Sequence, residues 1–327
     1  MYERFYGLHE LPFELTPNPK FLFLTHRHRE ALSNLQYGLS SAKAVTVLIG
    51  EAGTGKTTLL RAALESERCS HVSCVYITNP ALTRAEFVES LARQFKLGPG
   101  VGESKARLLG ELEPVLRERR QRGEITALVV DEGQSLSNEL LEEIRLLANI
   151  ETPTEKLLPL VLAGQPELAV RLNEPGLRQL KQRVALRCEI SAFDLQDTAA
   201  YIATRIRTAG GDASRLFTRE AVVLIHEYSL GIPRTINVMC DNALLSGLAL
   251  GQQPIDREII LEISRDFDLC GPVAGPSAEP PPSPGDKSSS PGETRLAAAP
   301  AAEDADPYPE QIAAGRKGAR RFNMFGR

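Results

Sequence analysis

From about residue 26 to 190 the chain alternates between two hydrophobic patterns. Short apolar runs at 44–49, 72–78, 125–130, 158–163 and 184–190 have the length of buried strands. Between them, near 27–41, 56–67, 83–96, 104–121 and 137–149, apolar residues return at helical spacing. Thr83 and Glu86 have the spacing of a capping box, and Ser137 can cap the helix that follows it. Pro153 and Pro159 bracket the loop before the fourth strand. Such alternation predicts an α/β fold, a parallel sheet with helices on both faces.

Beyond about 191 the pattern is helical only. Asp194 and Asp197 stand at the start of a helix running to about 208, and Thr218 precedes one over Phe217 to Tyr228. A third helix begins after Gly231-Ile232-Pro233, and a fourth spans about 255–266. The expected division is an α/β domain with an N-terminal lead-in over 1–190, a small helical lid over 191–270, and a tail over 271–327. Rich in Pro, Ala and Ser, the tail has too few large apolar residues to offset chain entropy, so 271 to about 310 is expected to be disordered. Its end carries Arg316, Lys317, Arg320, Arg321 and Arg327, with Phe322, Met324 and Phe325 interleaved. That composition suits a docking peptide for protein, anionic lipid or nucleic acid, and equally a solvated tail.

Bulk properties narrow the picture only slightly. A chain of 327 residues can bury sizeable cores, and its formal charge of −4 does not announce a nucleic-acid or membrane-binding protein. The five cysteines form no CxxC pair and read as reduced core thiols. No segment approaches a membrane span, and the N-terminus lacks the form of a signal peptide, so a soluble cytoplasmic location is expected.

The candidate chemistry starts at Gly50-Glu51-Ala52-Gly53-Thr54-Gly55-Lys56-Thr57, a phosphate loop between the first strand and a helix that opens with Thr58. Glycines let successive N–H groups converge on one concavity, backed by the positive end of the helix. Lys56 would reach the β- and γ-phosphates of ATP, and the Thr57 hydroxyl would sit on Mg²⁺. Further along, Ala127-Leu128-Val129-Val130 is an apolar strand that ends in Asp131 and Glu132. Asp131 would hold the Mg²⁺ and Glu132 would polarise the attacking water.

Other positions then gain candidate roles beside plainer ones. Asn79, after the second strand, can hold Glu132 away from water, or simply form a turn before Pro80. Gln165, after the fourth strand, can bond the γ-phosphate or the water, or belong to a loop. Arg234 opens a lid helix from which its guanidinium can reach the phosphates; an exposed arginine at a helix start is the alternative. Arg183, with Arg178 as second choice, can project into a neighbouring subunit's site and neutralise transition-state charge.

Taken together these residues resemble the AAA+ ATPases over roughly 1–270, and within them the ExeA-like group of general secretion pathway protein A ATPases. The lead-in Tyr2-Glu3-Arg4-Phe5-Tyr6-Gly7-Leu8 and Pro12-Phe13-Glu14-Leu15-Thr16-Pro17-Asn18-Pro19 is the group-specific part. Val130-Asp131-Glu132-Gly133-Gln134, Ala163-Gly164-Gln165-Pro166, Leu177-Arg178-Gln179-Leu180 and Gly231-Ile232-Pro233-Arg234-Thr235-Ile236-Asn237 match as well. Gly133 stands where the group usually has alanine. The resemblance implies a five-stranded P-loop sheet of order 5-1-4-3-2, a lead-in that helps line the adenine pocket, and ATP at the interfaces of a homo-oligomer. It also implies Mg²⁺-dependent ATP hydrolysis coupled to an envelope secretion or export system, with a protein partner there and a place at the inner membrane's cytoplasmic face. Two rivals remain. One is a DNA-binding transposition regulator of the target-selection type, which near-neutral charge disfavours. The other is a nucleotide switch without turnover.

Overall fold

The computed structural model describes residues 1–16, 18–77 and 82–269. Helices α1 (Glu3–Tyr6) and α2 (His26–Ser40) lead into β1 (Val45–Ile49), which α3 (Lys56–Leu64) follows. Next come β2 (Val72–Ile77), α4 (Arg84–Phe95), α5 (Lys105–Gln121), β3 (Ile125–Val130) and α6 (Asn138–Leu147). β4 (Leu160–Gly164), the short α7 (Pro166–Arg171) and α8 (Arg178–Lys181), and β5 (Val184–Glu189) complete the alternation. Helices α9 (Leu195–Thr208), α10 (Ala213–Leu216), α11 (Arg219–Ser229), α12 (Pro233–Leu250) and α13 (Arg257–Asp266) then follow without strands.

Local chemistry sets the boundaries. Thr83 and Glu86 form the full capping box of α4, and Ser137, Asp194 and Thr218 accept the first free N–H groups of α6, α9 and α11. Because Thr218 is the cap, the helix expected from Phe217 begins at Arg219, and Phe217 pairs instead with Ile255 in an isolated bridge. β4 starts at Leu160, two residues later than its apolar run. Pro159 has no N–H for the ladder, and only its carbonyl takes part, accepting from the Leu128 N–H.

The strands lie in the order β2-β3-β4-β1-β5, and every neighbouring pair is parallel. This is the expected 5-1-4-3-2 sheet read from the other edge. Alternation sends Val45, Val47 and Ile49 into the core under α4, α5 and α6, while Leu48, Val129 and Val161 face α2 and α3. Each such fully buried aliphatic side chain stabilises the fold by about 1.5–3 kcal/mol. At the edge, β5 turns Arg187 and Glu189 to solvent, which discourages pairing with another strand.

A third core belongs to the helices after β5, built on Ile202, Ile206, Ile225, Met239, Leu244 and Ile260. Tyr2, Tyr6, Leu8, Phe13 and Phe21 of the lead-in are buried in this same core. The lead-in, expected to accompany the sheet, therefore packs its apolar side chains with the helical part. The reason is complementarity: its aromatics find an apolar helical groove, whereas both sheet faces are already covered. Contacts join the sheet part and the helical part into one compact unit.

Cys69, Cys188 and Cys240 are buried free thiols and Cys74 is half-buried. Among the described residues no helix is long and apolar enough to cross a membrane. The expectations for 271 to about 310 and for the basic C-terminal end fall outside the described residues.

A candidate nucleotide site at the carboxyl edge of the sheet

The loop Gly50–Gly55 leaves β1, an interior strand between β4 and β5, and turns directly into α3. Lys56 is buried, and its Nζ donates to the carbonyls of Gly50 at 2.8 Å and Glu51 at 3.1 Å. Burial pushes this ammonium below the ordinary lysine range, against the opposing pull of the nearby Glu132 and Asp131 carboxylates. Thr54 is also buried and closes the loop on itself, its hydroxyl donating to the Glu51 carbonyl at 2.8 Å. Glu51 and Ala52 are exposed at the loop's crest, and Thr58 follows Thr57 half-buried in the first turn of α3.

Gly53 shows why a side chain is not tolerated at the crest. Its φ is +80°, and a Cβ there would stand 2.8 Å from Arg234 Cβ and 3.0 Å from Ile232 Cγ2. The Arg234 backbone N–H donates to the Gly53 carbonyl at 3.2 Å. The first turn of α12 thus rests on the phosphate loop, with the Arg234 side chain exposed above it.

Asp131 and Glu132 follow β3, two strands from β1 across β4. Thr57 Oγ1 donates to Asp131 Oδ2 at 2.8 Å, and Asp131 Oδ1 accepts the Glu132 backbone N–H at 2.9 Å. A hydroxyl and a carboxylate side by side are hard oxygen donors of the kind Mg²⁺ takes, with phosphate and water completing its octahedron. Glu132 has φ 54° and ψ 38°, a left-handed conformation that costs a non-glycine residue about 1–3 kcal/mol and needs surrounding contacts to persist. Those contacts are present. Gln134 Nε2 donates to Glu132 Oε2 at 2.6 Å, and Gln165 Nε2 reaches the same oxygen at 3.4 Å.

A cleft of about 410 Å³ opens from the loop toward the helical part. Its far end is aromatic: Phe23, Phe193 and Tyr201 stand with ring centroids 5.1–5.7 Å apart. The buried Arg205 guanidinium lies 4.9 Å over Phe21 and 5.3 Å over Tyr201, and its Nε donates to the Pro12 carbonyl at 2.6 Å. Apolar faces at one end and a phosphate cradle at the other suit a nucleotide's base and its phosphates.

His28 links these ends. Its Nε2 lies 3.3 Å from the Thr54 carbonyl, which can only accept, so the proton is on Nε2 and Nδ1 accepts from the Thr25 hydroxyl 2.8 Å away. Burial holds this imidazole below the ordinary histidine pKa. The unfolded chain takes up the proton more readily than the folded one, so stability falls as pH drops through the unfolded value, about 6.5, toward the lower folded one. Urea denaturation at pH 7.5 and 5.5 is expected to show a loss of stability that is smaller in His28→Gln. An equal loss in the variant would remove His28 from the account.

Lys56, Thr57, Glu132 and Arg234 thus line one cleft, with Asp131 bonded to Thr57 and Gln165 to Glu132 behind them. Arg183 does not. It precedes β5, whose Val184 pairs with Val45 at the start of β1, roughly 15 Å along the strands from the loop. Its Nε is buried without a hydrogen-bond partner. Arg178 is exposed at the start of α8. Asn79 lies outside the described residues. The sequence does not single out Gln134, His28 or Arg205, although Gln134 stands inside a quoted motif. Each has a polar partner distant in the chain (Gln165, Thr54 and Pro12), which spacing does not reveal. Gly133 has a local explanation, since a Cβ would stand 3.1 Å from Leu168 Cδ2 and 3.2 Å from the Ala163 carbonyl.

Comparison with known proteins agrees with this geometry. Residues 39–172 match the AAA domain family. The chain is 41% identical over 256 residues to general secretion pathway protein A of Aeromonas hydrophila, covering 78% of this chain but only 46% of that relative. Two solved structures share the fold at TM-score 0.59: the Aeropyrum pernix ORC2 protein in its ADPNP–ADP complexes, at 17% identity, and Cdc6p from Pyrobaculum aerophilum, at 19%. They cover 78% of this chain and 71% and 70% of their own. A strand-flanked phosphate loop, an Asp-Glu strand end beside it and a helical cap resting on its crest are found together with that identity: the chain has a P-loop fold with an AAA domain over residues 39–172 and is similar to general secretion pathway protein A over the part the two share.

Proposed function

We propose that this protein hydrolyses ATP with Mg²⁺ as an assembly of identical subunits, and that the cycle remodels an envelope secretion or export machine from its cytoplasmic side. The observation that carries the reading is that Lys56, Thr57 and Glu132 line one cleft, with Asp131 bonded to Thr57 and Gln165 to Glu132. Loop N–H groups would hold the β- and γ-phosphates, and Lys56 Nζ would exchange two carbonyls for phosphate oxygens. Thr57 Oγ1 and Asp131 would hold Mg²⁺, which would supply neutralisation of phosphate charge. Glu132 would take a proton from the attacking water as its oxygen bonds to Pγ and the bond from Pγ to the bridging oxygen breaks, leaving ADP and phosphate. Gln165 would orient that water or the γ-phosphate. Arg234, above the crest of the loop, would carry the change in phosphate charge to the helical lid proposed for 191–270.

Arg183 is too far from its own loop to serve it, which supports a role in a neighbour's site. Phosphate release from purified protein with MgATP, and sedimentation with and without nucleotide, test the reading. A mixing experiment tests the arginine. Arg183→Ala and Glu132→Gln subunits should each be nearly inactive alone, because a trans arginine contributes about 10³–10⁵ in rate. Mixed, they should recover turnover, since intact Glu132 of one can pair with Arg183 of the other. An Arg183→Ala protein that turns over normally, or mixtures that stay silent, would remove the trans role. The secretion-system client is supported by the kinship with general secretion pathway protein A, of which this chain spans less than half. Crosslinking in cells, read for envelope proteins, tests it.

A further inference from the structure

Gln134 is the polar side chain nearest the catalytic carboxylate that the hydrolytic scheme leaves without a task. Both ends of its amide are engaged. The Gln165 backbone N–H donates to Oε1 at 3.0 Å, and Nε2 donates to Glu132 Oε2 at 2.6 Å. Since the backbone group can only donate and the carboxylate can only accept, the two contacts specify one amide orientation. Space for it exists only because residue 164 is glycine: a Cβ there would stand 2.8 Å from Gln134 Oε1. The backbone of Gln134 is held as firmly. Arg171 of α7 donates from Nη1 to the carbonyls of Gln134 and Leu136, each at 2.6 Å, and from Nη2 to Asn138 Oδ1 at 2.6 Å.

We propose that Gln134 is a positioning residue for hydrolysis: it ties the Glu132 carboxylate to the end of β4, so that Glu132 presents its second oxygen to the attacking water in a place set by Gln165. The inference rests on the hydrolytic reading above and deepens it. It accounts for two otherwise separate features, the left-handed backbone of Glu132 and the guanidinium clamp beyond it. Glu132 stands two residues beyond the end of β3 and would otherwise sample several rotamers. The amide selects one, and the same amide reports any shift of Gln165 because a single side chain bonds both.

The test is steady-state ATP turnover with separate measurement of nucleotide affinity, on the full chain. Gln134→Ala should lower kcat by about tenfold to a hundredfold, the cost of a misplaced reacting group, with nucleotide Kd changed less than about twofold. Gln134→Glu keeps an oxygen for the Gln165 N–H but puts a second carboxylate against Glu132. One proton is then shared between them, so the acid limb of the kcat–pH profile should move to higher pH. A merely structural role would instead lower nucleotide affinity together with kcat in Gln134→Ala. Gln134→Ala turning over within about twofold of the parent, an equal loss of affinity and kcat, or an unshifted limb in Gln134→Glu would each overturn the inference while leaving hydrolysis intact. A parent protein that binds MgATP yet releases no phosphate would instead sink the hydrolytic reading, and this role with it.

Discussion

Glu132→Gln is expected to lower ATP turnover by about 10²–10⁴-fold, the usual contribution of a positioned general base, while ATP still binds. The amide occupies the same volume, and its oxygen can accept from Gln134 Nε2 as the carboxylate now does at 2.6 Å. Only the capacity to take a proton from water disappears. Bound ATP should therefore persist, and the assembly it stabilises should be recovered in larger yield by sedimentation with MgATP. Single-turnover phosphate release separates the chemical step from binding. Full turnover by this variant would remove Glu132 from the mechanism.

Lys56→Ala should act at the earlier step. The ammonium is buried and satisfied by two loop carbonyls, so it is aimed along the loop where phosphate oxygens would arrive. Removing it deletes charge-assisted bonds worth about 1.5–3 kcal/mol each, which is ten- to a hundredfold in affinity per bond. The readout is thermal unfolding with and without MgATP. Nucleotide at 100 times its Kd stabilises the parent by about 2.7 kcal/mol, or roughly 5–10 °C for a fold of this size. That shift should vanish in Lys56→Ala, while the ligand-free Tm should change little because Lys56 supplies no apolar core contact. A variant that keeps the nucleotide-induced shift would contradict the assigned site.

Both experiments address residues that could be named before any coordinates existed. The phosphate loop is local chemistry: a strand, a glycine-rich turn and a helix start are adjacent in the chain, so their geometry follows from a few φ values and one helix end. The Asp131–Glu132 pair was legible for a related reason. A continuous apolar strand such as β3 must be central, and its carboxyl end must open at the sheet edge that carries the loop. In the folded chain Asp131 accepts from Thr57, at the sheet edge where the parallel topology brings the two segments together.

Legibility ended where function depends on side chains from distant elements. Gln134 was quoted without a role, because only the return of β4 beside β3 brings the Gln165 N–H to its amide. Arg205 became informative only once Pro12 and Phe21 were found around it, nearly two hundred residues earlier in the chain. The lead-in was grouped with the α/β domain over 1–190, and its aromatics share a core with Ile206 and Met239 of the helical part. Hydrophobic pattern records that a residue wants burial but not which surface will cover it.

The amino-acid sequence alone thus determined the element order, the strand–helix alternation, the phosphate cradle and the acid pair, all of which depend on near neighbours and a pattern period. Tertiary structure decided the pairing of the lead-in with the helical part, the seating of Arg234 on Gly53 and the amide relay behind Glu132. The physical reason is range. Backbone preference and periodicity act over a few residues, whereas hydrogen-bond partners and apolar partners are chosen among all surfaces the folded chain brings within a few ångströms.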